Sequence, residues 1–468
     1  MFLDEVFARF ATESPVSVIF RGTLEHVLSA ERLDRLFART ARKQYARELA
    51  FSTCVELLGL VVLQIRPNVH AAYRLRRDQV CVSVQALYEK LAHVEPAVTE
   101  ALVRETACDL GTLVDRLEAR QPSPLAGFDV RIVDGNHLRG TEHRLQELRR
   151  LGDAAMPGHT LAVLDPQREL IEELVESLDG HASQKPLTRR LLPLVQARQC
   201  WIADRDFSTK LFLGGVAQRG AYFLVRHHRV LALRLIGKRR RVGPTATGDV
   251  YEQAAELIDE SGQRLRLRRI TVALKSRTRD QATELHLLSN LPAEVEGRQI
   301  ADAYRSRWSI EAAFHKLTTV LRCELNTLGY PEAALFGFAL AVVMYNIVGT
   351  LMAALRAAHG DLIAAHAQKT SAVRRPRHLS FYYLTVEITG MWRGMTLLVP
   401  DSYWAQQFAR RTADDLAPRL LELARQVRLE PFLTNPVRVK KRKPPRPTRH
   451  GGHVSTHRLL QQRRKQPQ

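Results

Sequence analysis

Residues 333 to 355 run for 23 positions without a formal charge. At about 1.5 Å per residue, that stretch is long enough to cross a bilayer. Gly337, Asn346, Gly349 and Thr350 interrupt it, however, and a polar helical segment leads directly into it. It reads as a central helix, apolar nearly all round and therefore enclosed by the rest of the chain. A chain of 468 residues has ample material to enclose it, and room for several domains.

The charge balance narrows the partners. Lys and Arg number 70 against 49 Asp and Glu, which gives +21 and a pI near 10.2. Eleven of those cations, and no acid, lie between Arg438 and Gln468, so the rest of the chain carries about +10. Such an excess favours a polyanion, nucleic acid before a membrane surface. The five cysteines are scattered, without a CxxC pair or zinc spacing, and read as reduced thiols of a cytosolic protein. The start, Met1-Phe2-Leu3-Asp4-Glu5, lacks the basic and apolar blocks of a signal peptide.

Residues 1–120 carry helical patterning throughout, up to a break at Gln121-Pro122-Ser123-Pro124. Phe128 to Asp134 then alternates and turns apolar, a strand ending in Asp-Gly. Thr160–Leu164 is a second strand, and Leu170–Val175 is either a strand or a helix. Pro186–Ala197 reads as a helix. Gln199-Cys200-Trp201-Ile202-Ala203-Asp204 repeats the apolar strand ending in Asp, and a helix (207–218) and another strand (221–225) follow. Strands alternating with helices imply an α/β sheet, in which sites gather at strand ends.

Residues 229–290 change character. Lys238-Arg239-Arg240-Arg241 is followed by Gln263-Arg264-Leu265-Arg266-Leu267-Arg268, where a period of two puts Arg264, Arg266 and Arg268 on one face. That face suits phosphate contact, with a solvated face as the alternative. Residues 358–436 are helical or irregular. The tail, 437–468, reads as disordered and basic.

Three carboxylates carry the chemistry: Asp134 and Asp204 at strand ends, and Glu311 on a helix. At about 100° per residue, Arg307 falls at about 300° and Glu311 at about 340° from Tyr304, so an aromatic, a guanidinium and a carboxylate share one face. Carboxylates in such a set can hold two divalent cations that activate water or a 3′-hydroxyl for attack on phosphate. Asp206, two residues past Asp204, is an alternative ligand. Asp129 reads as a strand start, and His137 and Arg139 as DNA contacts or plain surface loop. Trp201 and Trp308 read as core.

Four blocks resemble the DDE transposases of bacterial insertion sequences, specifically the insertion-sequence-four family. They are Val133-Asp134-Gly135, Ile202 to Phe207, Leu287 to Pro292, and Ala303 to Phe314. The resemblance covers about half the chain, roughly 130 to 350. It implies an RNase H-like catalytic core (125–228 and 291–357) interrupted by a β-rich insertion (229–290), with helical N-terminal (1–120) and C-terminal (358–436) regions. It also implies Mg²⁺- or Mn²⁺-dependent cleavage of transposon ends and strand transfer into target DNA, with two ions held by Asp134, Asp204 and Glu311. By the same resemblance Tyr304 and Arg307 hold DNA phosphates. The partners would be DNA and a second copy of the chain, without a membrane, in the cytoplasm at the nucleoid.

One position departs from the family pattern, which calls for Lys seven residues after the Glu; here it is Thr318. Lys316 lies off the active face by helical angle, whereas His315 and Arg322 lie on it as replacement DNA contacts. The alternative reading is a catalytically inactive DNA-binding descendant of such an enzyme. Either residues 1–120 or the insertion would read DNA sequence.

Overall fold

The computed structural model describes residues 2–43, 48–138, 145, 154–278, 281–325, 328–368, 377–434 and 453–465. The N-terminal region is helical: α1 (Phe2–Glu13), α2 (Pro15–Val27), α3 (Ala30–Thr40), α4 (Phe51–Val62), α5 (Val69–Leu75), α6 (Val84–Leu91) and α7 (Pro96–Arg116). Local chemistry sets their starts. Pro15 and Pro96 occupy first helical positions, where an N–H would be unbonded anyway. Asn68 and Ser83 accept from Ala71 N and Ala86 N to cap α5 and α6.

The centre is a mixed sheet. Its strands are β1 (Asp129–His137), β3 (His159–Asp165), β4 (Leu170–Ser177), β5 (Gln199–Ala203), β6 (Tyr222–Arg226), β7 (Arg234–Pro244), β8 (Gly248–Ile258), β9 (Arg264–Leu274) and β10 (Glu284–Ser289). A short β2 (Ala154–Met156) lies outside this sheet. The order is β4-β3-β1-β5-β6-β10-β9-β8-β7. β1, β3 and β4 form an antiparallel meander, and β5 and β6 continue parallel to β1. Helices α8 (Gln184–Leu191) and α9 (Lys210–Gln218) lie in the connections to β5 and β6. Gly220, at φ +68°, supplies the left-handed residue that ends α9 and turns the chain into β6.

The ambiguous Leu170–Val175 segment is a strand because Leu170, Ile171, Leu174 and Val175 are buried against the sheet and α7. The insertion is β-rich but not a detached module: β10 pairs antiparallel with β6, so β7–β10 extend the same sheet. Asn290 secures that junction, accepting from Phe223 N (2.8 Å) and donating to the Ala221 carbonyl (3.0 Å).

After the sheet come α10 (Gly297–Ala303), α11 (Trp308–Thr319) and the long α12 (Pro331–Gln368). α12 is long and apolar enough to cross a membrane, yet its most apolar stretch is 94% buried within the molecule, against α2, α4, α7 and β4. Its one strongly polar residue there has a purpose. Asn346 accepts from Ile171 N (2.9 Å) and donates to Ile171 O (2.8 Å), satisfying the backbone of β4. The C-terminal region packs as α13 (Phe381–Leu398), α14 (Asp401–Trp404) and α15 (Ala413–Arg425).

The expected disorder of the tail does not describe 453–465. There β11 (His453–Ser455) pairs with β2, and α16 (Thr456–Lys465) follows. Leu459 and Leu460 give this segment an apolar contact at Leu145, which the cation count alone does not reveal.

Candidate active site

Parallel pairing brings the first two carboxylates together. Val133 stands opposite Ala203, so the next residues, Asp134 and Asp204, lie side by side. Alternation assigns their side: Val130 and Ile132, like Cys200 and Ile202, join the core that contains α12. Val133, Trp201 and Ala203 face the opposite core with Phe207, Phe212 and Val216. The Asp-Gly pair does not end β1, contrary to the turn expected from sequence; the strand continues to His137. Gly135 suits this stretch because a Cβ there would lie 3.0 Å from His159 Nε2.

The third carboxylate comes from α11, which packs against β1. Tyr304–Arg307 is a 3₁₀ turn rather than part of an α-helix, and α11 begins only at Trp308. A repeat of about three residues per turn still sets Tyr304 and Arg307 on one side. Arg307, with its side chain only 8% exposed, reaches Asp134 Oδ2 (3.3 Å) with one terminal nitrogen and Glu311 Oε1 (2.6 Å) with the other. Its guanidinium also lies 4.4 Å from the Trp308 ring centre.

The electrostatics follow from this crowding. Burial, then repulsion from Asp204 and Glu311, pushes Asp134 up to about 6 against the opposing pull of Gly135 N–H and Arg307. Burial also raises Asp204, joined by Asp206, while the Asp206 N–H (2.7 Å), Arg307 and Arg205 oppose it. Tyr304, 6% exposed, is held in its neutral form by burial beside Arg307, Asp204 and Arg226. Hard oxygen donors that repel one another fit a divalent cation by chemistry. Among the described residues no three His, Cys, Asp or Glu side chains are gathered closely enough to hold one ion. The positive charge between Asp134 and Glu311 is instead Arg307.

Residues 126–347 match the transposase DDE domain. The match takes in β1, β5, α11 and the first half of α12, and with them Asp134, Asp204 and Glu311. It supports a transposase of the DDE class, for which DNA is the implied partner. No curated protein matches the chain.

Several residues of the matched region and its surroundings sit differently from the sequence expectation. Trp308 is 61% exposed, not core, because it starts α11 on the solvent side; Trp201 is 1% exposed. Arg268 does not present a free cation: it donates to Glu252 (2.6 Å) and to the Pro292 carbonyl (2.6 Å). The reason lies in cross-strand register, since β8 interposes Glu252 and Glu256 between the arginines of β7 and β9. Arg264 and Arg266 remain exposed.

Arg322 likewise turns inward, donating to the Pro67 carbonyl (2.8 Å) and so joining the end of α11 to the N-terminal helices. His315 is exposed; Thr318 is exposed too, its hydroxyl bonded back to the Phe314 and His315 carbonyls. Lys316 points away, over the rings of Tyr345 and Phe381. Asp206 is exposed and Asp129 pairs with Arg131. His137 stacks on His159 at 4.1 Å. Arg139 lies outside the described residues. Arg226, at the end of β6 beside Tyr304, was missed; its only sequence signal is its place at the end of a third parallel strand.

Proposed function

We propose that this protein is a DNA transposase of the insertion-sequence-four group, cutting transposon ends and joining them to target DNA through Asp134, Asp204 and Glu311. The observation that carries the reading is Asp134 on β1 beside Asp204, which directly follows the paired end of the parallel strand β5, with Glu311 linked to Asp134 through Arg307. The sheet order, an antiparallel meander followed by two parallel strands, supports an RNase H-like core. The three carboxylates would hold two Mg²⁺ or Mn²⁺ ions only once Arg307 has left them, and the ions would supply activation of the attacking water or 3′-hydroxyl.

The chain's own residues divide the remaining work. Asp134 offers its oxygens from within β1 and Asp204 from just past the end of β5, while Glu311, 40% exposed, has freedom to turn. Arg307 holds the carboxylates apart from solvent cations before DNA arrives, then takes a backbone phosphate as its partner. The buried Tyr304 favours the charged form of the neighbouring Arg307. His315, Arg264 and Arg266 extend the phosphate contacts, and α12 remains internal without contacting a membrane. Two ends require two such sites, so a homodimer acts on DNA at the nucleoid in the cytoplasm.

The test is Mg²⁺- or Mn²⁺-dependent cleavage of DNA carrying the element's own ends, wild type against Glu311→Gln. Cleavage by wild type alone is the expected result. Thr318 favours one competing reading, a DNA-binding descendant without catalysis, because no cation stands where the family has Lys. Tight binding without cleavage by either protein would establish that reading instead.

A further inference from the structure

The segment 453–465 is anchored by several independent contacts. β11 pairs in parallel with β2, with Val454 opposite Ala155. Ser455 Oγ donates to Asp179 Oδ1 (2.6 Å), and Arg458 Nε donates to Asp179 Oδ2 (2.8 Å). Ser455 and Thr456 are each 1% exposed. Leu459 and Leu460 then pack on Leu145, which itself lies against Gly329, just ahead of α12. A solvated basic tail has no need of such a latch.

The place of the anchor is informative. β1 overhangs β5 beyond Asp134, and His137 Nδ1 lies 3.2 Å from the Gly180 carbonyl, beside Asp179. Three residues of strand, roughly 10 Å, therefore separate Asp134 from the ledge on which the arm is fastened. Gly180 lets β2, the partner of β11, lie against this ledge, since a Cβ there would lie 2.5 Å from Met156 Cβ. Beyond the leucine contact, the end of α16 carries Arg463 and Arg464, both exposed.

We propose that α16 is a docked basic arm that grips the backbone of duplex DNA beside the candidate active site. The choice of DNA rests on the transposase reading above; the placement rests on the latch. Arg458 positions the arm through Asp179, while Arg463 and Arg464 contact phosphates. Because phosphate contacts release counterions, each one steepens the fall of affinity with salt by about 0.9 in log–log slope.

The experiment is fluorescence anisotropy of full-length protein on a labelled duplex carrying the element's end, across a salt series. R463A/R464A, a change at exposed positions, is expected to lower the slope by roughly 1.8 relative to wild type. A photocrosslinker in place of exposed Gln462 should join DNA within about one helical turn of the cleavage point. An unchanged slope, or crosslinks scattered evenly along the duplex, overturns the proposal, whatever other polyanion the arm then binds. Cleavage with an unchanged slope would sink the arm and keep the enzyme. A lowered slope and localised crosslinks without cleavage would keep the arm and sink the catalytic reading.

Discussion

Arg307 places one positive charge among Asp134, Asp204 and Glu311, and it is itself nearly buried. A guanidinium in that position competes with any cation for the same oxygens. Arg307→Met should therefore bind Mn²⁺ several-fold more tightly than wild type when DNA is absent, read by the loss of free-Mn²⁺ signal in electron paramagnetic resonance. On the proposed function, in which Arg307 takes a DNA phosphate, the same variant should also cut DNA far more slowly. Weaker Mn²⁺ binding would mean instead that the guanidinium organises the carboxylates. Glu176 offers a second test by titration. It is 1% exposed, receives a hydrogen bond from Thr99, and burial raises it to about 8. Its protonated form is the one the fold accommodates, so its stabilising effect is present below about 4.5 and lost as pH rises through about 8. Glu176→Gln should thus gain stability over wild type at pH 8 relative to pH 5, in urea midpoints followed by circular dichroism; equal differences at the two pH values would refute it.

Among the elements, α12 shows how an apolar helix acquires a fixed register. Asn346 meets both backbone groups of Ile171, and no Leu or Ala could do so. Asn346→Leu leaves a buried donor and a buried acceptor unpaired, at roughly 1–3 kcal/mol each. The thermal midpoint should fall by several degrees, and a neutral outcome would mean that β4 finds other partners. Helical patterning in 1–120 and the strand patterning of 128–225 were legible because period and turn chemistry are local properties. The switch from α-helix to a 3₁₀ turn at Tyr304–Arg307 was not legible, since both carry the same face and differ only in the packing beneath. The continued run of β1 past Gly135 was hidden for a similar reason, as Asp-Gly suits both a turn and a strand that must clear a neighbouring ring.

Across the whole molecule, one sheet runs from β4 to β7, and the insertion is part of it. Replacing residues 227–290 by a flexible linker would leave β6 as a bare edge. We expect an aggregated product in size-exclusion chromatography; a monodisperse, folded product would show that the core closes without β10. The sequence by itself marked Asp134, Asp204 and Glu311 as candidates, and carried the strand-and-helix alternation, the enclosed helix and the excess of positive charge. These follow from periodicity and composition, which neighbouring residues carry among themselves. Only the tertiary structure decided which charges meet. Arg307 finds Asp134 across 173 residues, Arg268 turns to Glu252, Arg322 docks on Pro67, and the tail fastens to Asp179. A side chain's partner is set by the packing of elements far apart in the chain, and a long cation shows no local preference among carboxylates, carbonyls and phosphates.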